Sequence, residues 1–281
     1  MRKNMGILYL VPTPIGNLKD ITYRAVEILQ SCQLIAAEDT RTSRRLLQEY
    51  QIDCELISYH KFNERARVEK ILSRLAANDD VAIISDAGTP GISDPSKIIV
   101  QAAIKANFRV EALPGATAFV PALVASGLDS ESFTFIGFLP EKLSDRMQLL
   151  QELKLQKFPT IFYESPHRIE KFLKLFYEHW GERQVVLARE ISKLYETYYR
   201  GKLSYFLQNP SEIKNKGEFV IIVDGAKAKS WQDDELLEQL RQLINDGYSP
   251  KLAIKQVSQS TQTNKNHVYQ LALQLKSEQN C

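Results

Sequence analysis

The segment Ser85-Asp86-Ala87-Gly88-Thr89-Pro90-Gly91-Ile92-Ser93-Asp94-Pro95 gathers residue types that hold a ligand: carboxylates, hydroxyls, glycines and prolines. It begins where the apolar run Val81-Ala82-Ile83-Ile84 ends. Gly88 and Gly91 permit positive φ or close backbone approach, while Pro90 and Pro95 fix φ and remove amide donors. A loop constrained in this way, at the carboxyl end of a parallel strand, is where open α/β sheets place their ligands. Its last residues also predict a helix start, with Asp94 as N-cap and Pro95 at the first helical position. Capping does not account for Asp86 or for Gly88-Thr89-Pro90-Gly91. Three more loops of related chemistry follow predicted strands: Val11-Pro12-Thr13-Pro14-Ile15-Gly16-Asn17-Leu18, Ala37-Glu38-Asp39-Thr40-Arg41 and Leu113-Pro114-Gly115-Ala116-Thr117-Ala118.

What these loops lack narrows the ligand. There is no Gly-x-x-x-x-Gly-Lys-Ser/Thr loop for nucleoside triphosphates, and no Gly-x-Gly-x-x-Gly after the first strand for a dinucleotide. Backbone groups, small side chains and one or two carboxylates suit a partly apolar, zwitterionic nucleoside such as S-adenosylmethionine better than a polyphosphate.

The elements that must position these loops alternate along the chain. Strands are predicted at 7–11, 34–37, 81–85, 108–113, 133–138, 160–163, 184–188, 195–200 and 218–223, with helices between most of them. Helices separating early strands favour a mostly parallel sheet, whereas the closely spaced strands from 184 to 223 favour antiparallel pairing in a mixed sheet. The expected architecture is α/β: two α/β lobes over 1–138 and 139–225, the boundary set by Leu139-Pro140, and a small helical C-terminal domain over 226–281. In that tail, Ser249-Pro250 signals a helix start. Leu240, Leu243, Ile254, Val257 and Leu271 supply its local core, and Lys251, Lys255, Lys265 and Lys276 outnumber the acid Glu278. The chain has 281 residues, 44% hydrophobic and 25% charged, with a net charge of +2, so a basic surface must arise by local segregation. Cys32, Cys54 and Cys281 have no metal-ligand spacing and form no disulfide framework. No apolar run is long enough to span a membrane, and Met1-Arg2-Lys3-Asn4 opens no signal peptide, so a cytoplasmic location is expected.

Together with Phe162-Tyr163-Glu164-Ser165-Pro166-His167-Arg168 and Ala188-Arg189-Glu190-Ile191-Ser192-Lys193, the four loops resemble the tetrapyrrole-methylase-like class of S-adenosylmethionine-dependent methyltransferases. Within it, the sequence is similar to the ribosomal RNA small-subunit methyltransferase I family, the cytidine 2′-O-ribose methyltransferases. The resemblance implies cofactor bound between two lobes, a homodimer, and a substrate in small-subunit ribosomal RNA or the subunit itself. It implies cofactor contacts from Pro12, Asp86, Gly88, Thr89, Pro90, Ile92, Ala116, Thr117, Ala118, Tyr163 and Ala188. The base for the ribose hydroxyl is then Glu38, Asp39, His60 or Glu190. Arg41, Arg44, Arg45, Arg168, Arg189 and Lys193 are the residues for phosphate, although Asp39-Thr40-Arg41 reads equally as a solvated helix cap. The chain departs from its relatives at Ser96, where glycine is common, and at Phe62, where a second histidine is usual. Two rivals are a C-methyltransferase acting on a tetrapyrrole and a non-enzymatic regulator binding nucleic acid through the tail.

Overall fold

Two runs without a polar residue, Leu34–Ala37 (β2) and Val81–Ile84 (β4), are buried along their whole length at the centre of a parallel sheet. A computed structural model of the chain describes residues 5–227, 231–261 and 263–278. Residues 1–4 and Cys281, and the side chains of Lys276 and Glu278, lie outside what it describes. With Ile7–Leu10 (β1), Glu55–Ser58 (β3) and Arg109–Ala112 (β5), the central strands form a five-stranded sheet of order β3-β2-β4-β1-β5. Every neighbouring pair in it is parallel. Burial on both faces explains the continuous apolar runs. Alternate residues point opposite ways: Ile35, Ala37, Ala82 and Ile84 pack with Tyr23–Ser31 (α1) and Thr40–Glu49 (α2), whereas Leu34, Ala36, Val81 and Ile83 pack with Glu64–Ala76 (α3) and Lys97–Lys105 (α4).

The edge strand β3 has no counterpart among the predicted strands. Only Leu56 and Ile57 in it are apolar, and its first residue, Glu55, is held by Lys70 Nζ at 3.0 Å and Arg74 Nη1 at 2.7 Å. An edge strand needs only one buried stretch of side chains, so its hydrophobic signal is weak. The helix start is also displaced from its expected place. Ser96, not Asp94, is the N-cap of α4, and Pro95 precedes the helix rather than opening it.

A second sheet contains Thr134–Phe138 (β6), Thr160–Glu164 (β7), Gln184–Arg189 (β8), Thr197–Lys202 (β9) and Phe219–Val223 (β10), in the order β6-β7-β10-β8-β9. It is mixed: β6 runs parallel to β7, and the other pairs are antiparallel. Sequence punctuation at Leu139-Pro140 assigns β6 to the first lobe, but its hydrogen bonds place it in the second sheet. The turn there joins β6 to the helix Leu143–Leu153 that follows, not one lobe to the next. Phe119–Val124 (α5) packs through Ala122 and Leu123 on Val186, Ala188, Val220 and Ile222, so one face of the second sheet is covered by chain leaving the first. The other face packs Ile169–Trp180 through an aromatic stack, in which the Phe172 and Phe176 rings lie 4.1 Å apart and nearly parallel, with Phe162 and Trp180 edge-on.

Chain contacts divide the molecule into Met1–Gly225 and Ala226–Cys281. The second unit is three helices, Asp233–Asn245, Pro250–Thr261 and Lys265–Glu278, around Leu236, Leu240, Ile254, Val257 and Leu271. Among the described residues, no helix is long and apolar enough to cross a membrane. Phe176 is wholly buried, so Phe176→Ala is expected to destabilise the larger unit by about 3–5 kcal/mol. Urea unfolding followed by tryptophan fluorescence checks this, and a loss below ~1 kcal/mol would mean that the stack is not the centre of that core.

Candidate functional site

The chain leaves β1 toward β2 on one side and leaves β4 toward β5 on the other, so the adjacent strands β1 and β4 flank a topological switch point. Loops at their carboxyl ends are tied together by an isolated antiparallel bridge: Thr13 N–H donates to Gly88 O at 3.0 Å, and Gly88 N–H to Thr13 O at 2.9 Å. Thr13 Oγ1 also donates to Ser85 O at 3.1 Å. Gly88 has φ +85°, a left-handed conformation in which a side chain is strained. The loops after β5 and β2 join the same rim. Thr89 Oγ1 donates to Ala116 O at 3.0 Å, and Asp86 Oδ1 accepts the Asp39 N–H at 3.0 Å. Four loops separated by up to about a hundred residues therefore meet in one hydrogen-bonded cluster.

Between this rim and the second sheet lies a cavity of about 490 Å³. Ile15, Ile92, Ala118, Tyr163 and Val220 give it apolar walls. Tyr163 is held edge-on against Phe135 and Phe138, at 5.2 and 5.7 Å. Burial pushes its phenol up to about 12, so it stays protonated at neutral pH. The polar lining is acidic: Glu38, Asp86, Asp94, Glu164 and Glu218, with no lysine or arginine among the lining residues. Burial raises the pKa of Glu38, and the charges of Asp94 and Asp86 raise it further. The carboxyl of Asp94 is raised by burial and by Asp86, against a hydrogen bond with Ser85. Asp86 is likewise raised by burial, against the Asp39 amide. Glu164 and Glu218 have cations beside them, Arg168 and Lys193, but Glu38, Asp86 and Asp94 form no ion pair among the described residues, so the cavity favours a cationic, partly apolar guest over a polyphosphate.

The sequence profile of the Tetrapyrrole (Corrin/Porphyrin) Methylases matches residues 7–206. The chain belongs to that family. It is 44% identical to the ribosomal RNA small subunit methyltransferase I of Synechocystis sp., over 98% of this chain and 100% of that protein. The protein of the same name from Bacillus subtilis is 38% identical over 95% of this chain and 94% of its own length. A crystal structure of uroporphyrin-III-C-methyltransferase from Thermus thermophilus shares the fold, with a TM-score of 0.55 at 18% identity over 78% of this chain and 94% of that one. The family's α/β fold is thus the one seen here.

Of the residues the sequence singles out for a tetrapyrrole methylase cofactor, Asp86, Gly88, Thr89, Ile92, Thr117, Ala118 and Tyr163 line the cavity. Pro12, Pro90, Ala116 and Ala188 stand behind it. Pro12 packs where a Cβ on Gly115 would fall, Ala116 receives the Thr89 hydroxyl, and Ala188 belongs to the core beneath α5. Among the named bases only Glu38 lines the cavity. Asp39 caps α2, accepting the Arg41 N–H at 2.8 Å and its guanidinium at 2.7 Å, and the Arg41 side chain holds its carboxyl down at about 2. His60 sits in the turn after β3, its Nε2 3.2 Å from Asn63 Nδ2. Glu190 accepts Lys193 Nζ at 2.8 Å and the Glu218 N–H at 3.0 Å; burial opposes its charge, but these two bonds prevail and hold its pKa low. Of the cations, Lys193 is therefore occupied by Glu190 and Glu218. Arg189 is only 6% exposed and donates to the carbonyls of Lys216 at 2.6 Å and Tyr195 at 3.3 Å, bracing a loop from within. Arg168 lies 3.4 Å from the buried Glu164, and Arg44 and Arg45 are exposed on α2.

Asp94 and Glu164 line the site without having been singled out for it. Both stand inside motifs that point to the site, but Asp94 beside Pro95 is indistinguishable in sequence from a helix cap. Its charge at pH 7 works against folding, because a carboxyl with a raised native pKa binds protons more readily folded than unfolded. Stability from this group is therefore lost as pH rises through its native pKa. Asp94→Asn is expected to raise Tm by roughly 2 °C at pH 7, a gain of about 0.5–1 kcal/mol. The gain should vanish by about pH 4, near the ordinary aspartate value. Calorimetry at both pH values checks this; a variant less stable at pH 7 would show that Asp94 is not under repulsion.

Proposed function

We propose that this protein is an S-adenosylmethionine-dependent methyltransferase that modifies the 2′-hydroxyl of a cytidine in small-subunit ribosomal RNA. The observation carrying this reading is the pairing of an acidic, partly apolar cavity with unpaired arginines on the adjoining rim. Asp86, Asp94 and Glu164 suit the positive groups of the cofactor, and Ile15, Ile92, Ala118 and Tyr163 suit an adenine face. When bound, S-adenosylmethionine supplies an electrophilic methyl carbon. The chain's part is to hold the ribose oxygen about 3 Å from that carbon and to take up its proton. Glu38 is assigned as the base, since it lines the cavity and its raised pKa makes it a stronger proton acceptor than an ordinary carboxylate. Arg44 and Arg45, on the helix that follows Glu38, neutralise phosphates of the incoming strand, whereas Arg41 is already paired with Asp39. A tetrapyrrole substrate carries several carboxylates of its own, which this acidic lining would repel. Full-length likeness to proteins named for ribosomal RNA also favours the RNA reading. The proposal includes a cytoplasmic site of action, where the small subunit is assembled, and a homodimer, as the family resemblance implies.

Asp86→Ala is expected to abolish cofactor binding measured by calorimetry while the protein remains folded. Glu38→Gln should lower kcat by about a hundred-fold and remove the acidic limb of the pH–rate profile, on which activity falls as pH drops through the raised Glu38 pKa. An unchanged profile would assign the proton to another group. Nucleoside mass spectrometry of small-subunit RNA from cells lacking the protein should show loss of one 2′-O-methylcytidine, restored by the wild-type gene and not by the Asp86 variant. An unaltered nucleoside pattern would refute the RNA reading.

A further inference from the structure

We propose that Phe62 is a stacking platform for an RNA base flanking the modified nucleotide. This role rests on the methyltransferase reading of the cavity and names how that site grips its strand. Phe62 is 93% exposed, in the loop that follows β3. All five strands of the first sheet are parallel, so this loop lies on the same carboxyl rim as the cavity. Strand β3 stands two places from β4, which sets the two loops about 10 Å apart at the usual strand spacing. That span is roughly two to three stacked nucleotides, at about 3.4 Å each.

An isolated exposed phenylalanine is ordinary on a protein surface. This one is mounted. Asn63 Oδ1 accepts the His60 N–H at 2.8 Å, and Asn63 Nδ2 donates to Ser58 O at 3.2 Å and to Ser58 Oγ at 3.1 Å. His60 O in turn accepts the Asn63 and Glu64 amides at 2.9 and 3.0 Å. The His60 ring meets Phe62 edge-on at 6.1 Å, and the hydrogen-bonded turn sets where the ring stands while nearly all of its surface remains open. An aromatic side chain has only two torsions to order, so it forfeits little entropy when a base stacks on it.

The charges beside it fit a nucleic acid. Lys61 and Arg65 are exposed and form no ion pair among the described residues, and the nearest partner of Arg67 is Ser58 Oγ at 3.5 Å. Arg44 and Arg45, on the helix that follows β2, the strand between β3 and β4, are also exposed and form no ion pair among the described residues. The cavity itself is acidic, so phosphates are drawn to this flank and kept off the floor, while an unstacked base finds the only apolar ring the loop presents. Single-stranded RNA is gripped by this combination of cations and an aromatic face.

The test uses full-length protein and small ribosomal subunits from cells that lack it. Phe62→Ala and Phe62→Leu are expected to raise KM for the subunits about ten-fold, at the low end of what one stacked base contributes, with kcat and the Kd for S-adenosylmethionine unchanged. Phe62→Trp should keep wild-type KM, because stacking needs a ring and not merely an apolar side chain. Wild-type KM in either the alanine or the leucine variant would overturn the stacking role while leaving the methyltransferase reading intact. A wild-type protein that binds S-adenosylmethionine but methylates no subunit would overturn the RNA reading, and the role of Phe62 with it.

Discussion

Glu38, Asp86 and Asp94 come from two loops of one rim and crowd their carboxyls into a cavity where no lysine or arginine answers them. Burial raises all three pKa values and neighbouring carboxylates add to it, so folding to this arrangement opposes itself locally. The rest of the larger unit has to hold the loops there. It does so with hydrogen bonds to backbone groups rather than with counter-charges: the Thr13–Gly88 bridge, the Thr89 hydroxyl on Ala116 O and the Asp39 amide on the Asp86 carboxylate. Each such bond contributes only about 1 kcal/mol net. The cores on both faces of the first sheet supply the stability that lets the site keep its strain. A guest bearing positive charge would relieve this repulsion.

The same rim changes sign within a short distance. Glu38, Asp86 and Asp94 face the cavity without an ion pair among the described residues; the next residue after Glu38, Asp39, is paired with Arg41, and Arg44 and Arg45 beyond it are exposed with no ion pair among the described residues. The net charge of +2 conceals this segregation, because the acids and bases nearly cancel over the whole chain. A cationic small molecule and a polyanion can thus occupy adjoining places without competing for the same groups. Electrostatic steering of the polymer acts on the flank, where screening by salt is strong, whereas the cavity charges act at short range in a drier setting.

Legibility in the sequence followed burial. Strands β2 and β4, covered on both faces, announce themselves as unbroken apolar runs, and the glycine-bearing loop after β4 identifies the rim. The edge strand β3 and the short helix Leu203–Gln208 do not, since a half-exposed element needs few apolar residues and shows no clear period. Asp94 was hidden by its neighbour: an acid before proline reads as a cap, and only the fold shows that the helix starts two residues later, leaving the carboxyl free to face the cavity. Of the motif at 188–193, Ile191 lines the cavity. The motif could not tell that Glu190 and Lys193 satisfy each other, because charge in a sequence carries no partner.

That pairing matters for how the second lobe meets the first. Glu190 and Ser192 both adopt positive φ, 52° and 64°, a conformation costing a residue with a side chain about 1–2 kcal/mol. The strain is sustained by contacts on either side. Within the lobe, the Glu190 carboxylate takes Lys193 and the Glu218 amide, and Arg189 grips the loop from below. Across to the first lobe, Ser192 Oγ hydrogen-bonds the Asp20 carboxylate, and the Lys193 stem lies so close to Gly16 that a Cβ there would stand 2.3 Å from its Cγ. Gly16 is therefore a fitted seat for the lysine stem, and the clasp sets Ile191 and Glu218 as the far wall of the cavity. Because the sheets share no strand, the spacing across the cavity depends on such contacts between loops together with the packing of α5 on the second sheet.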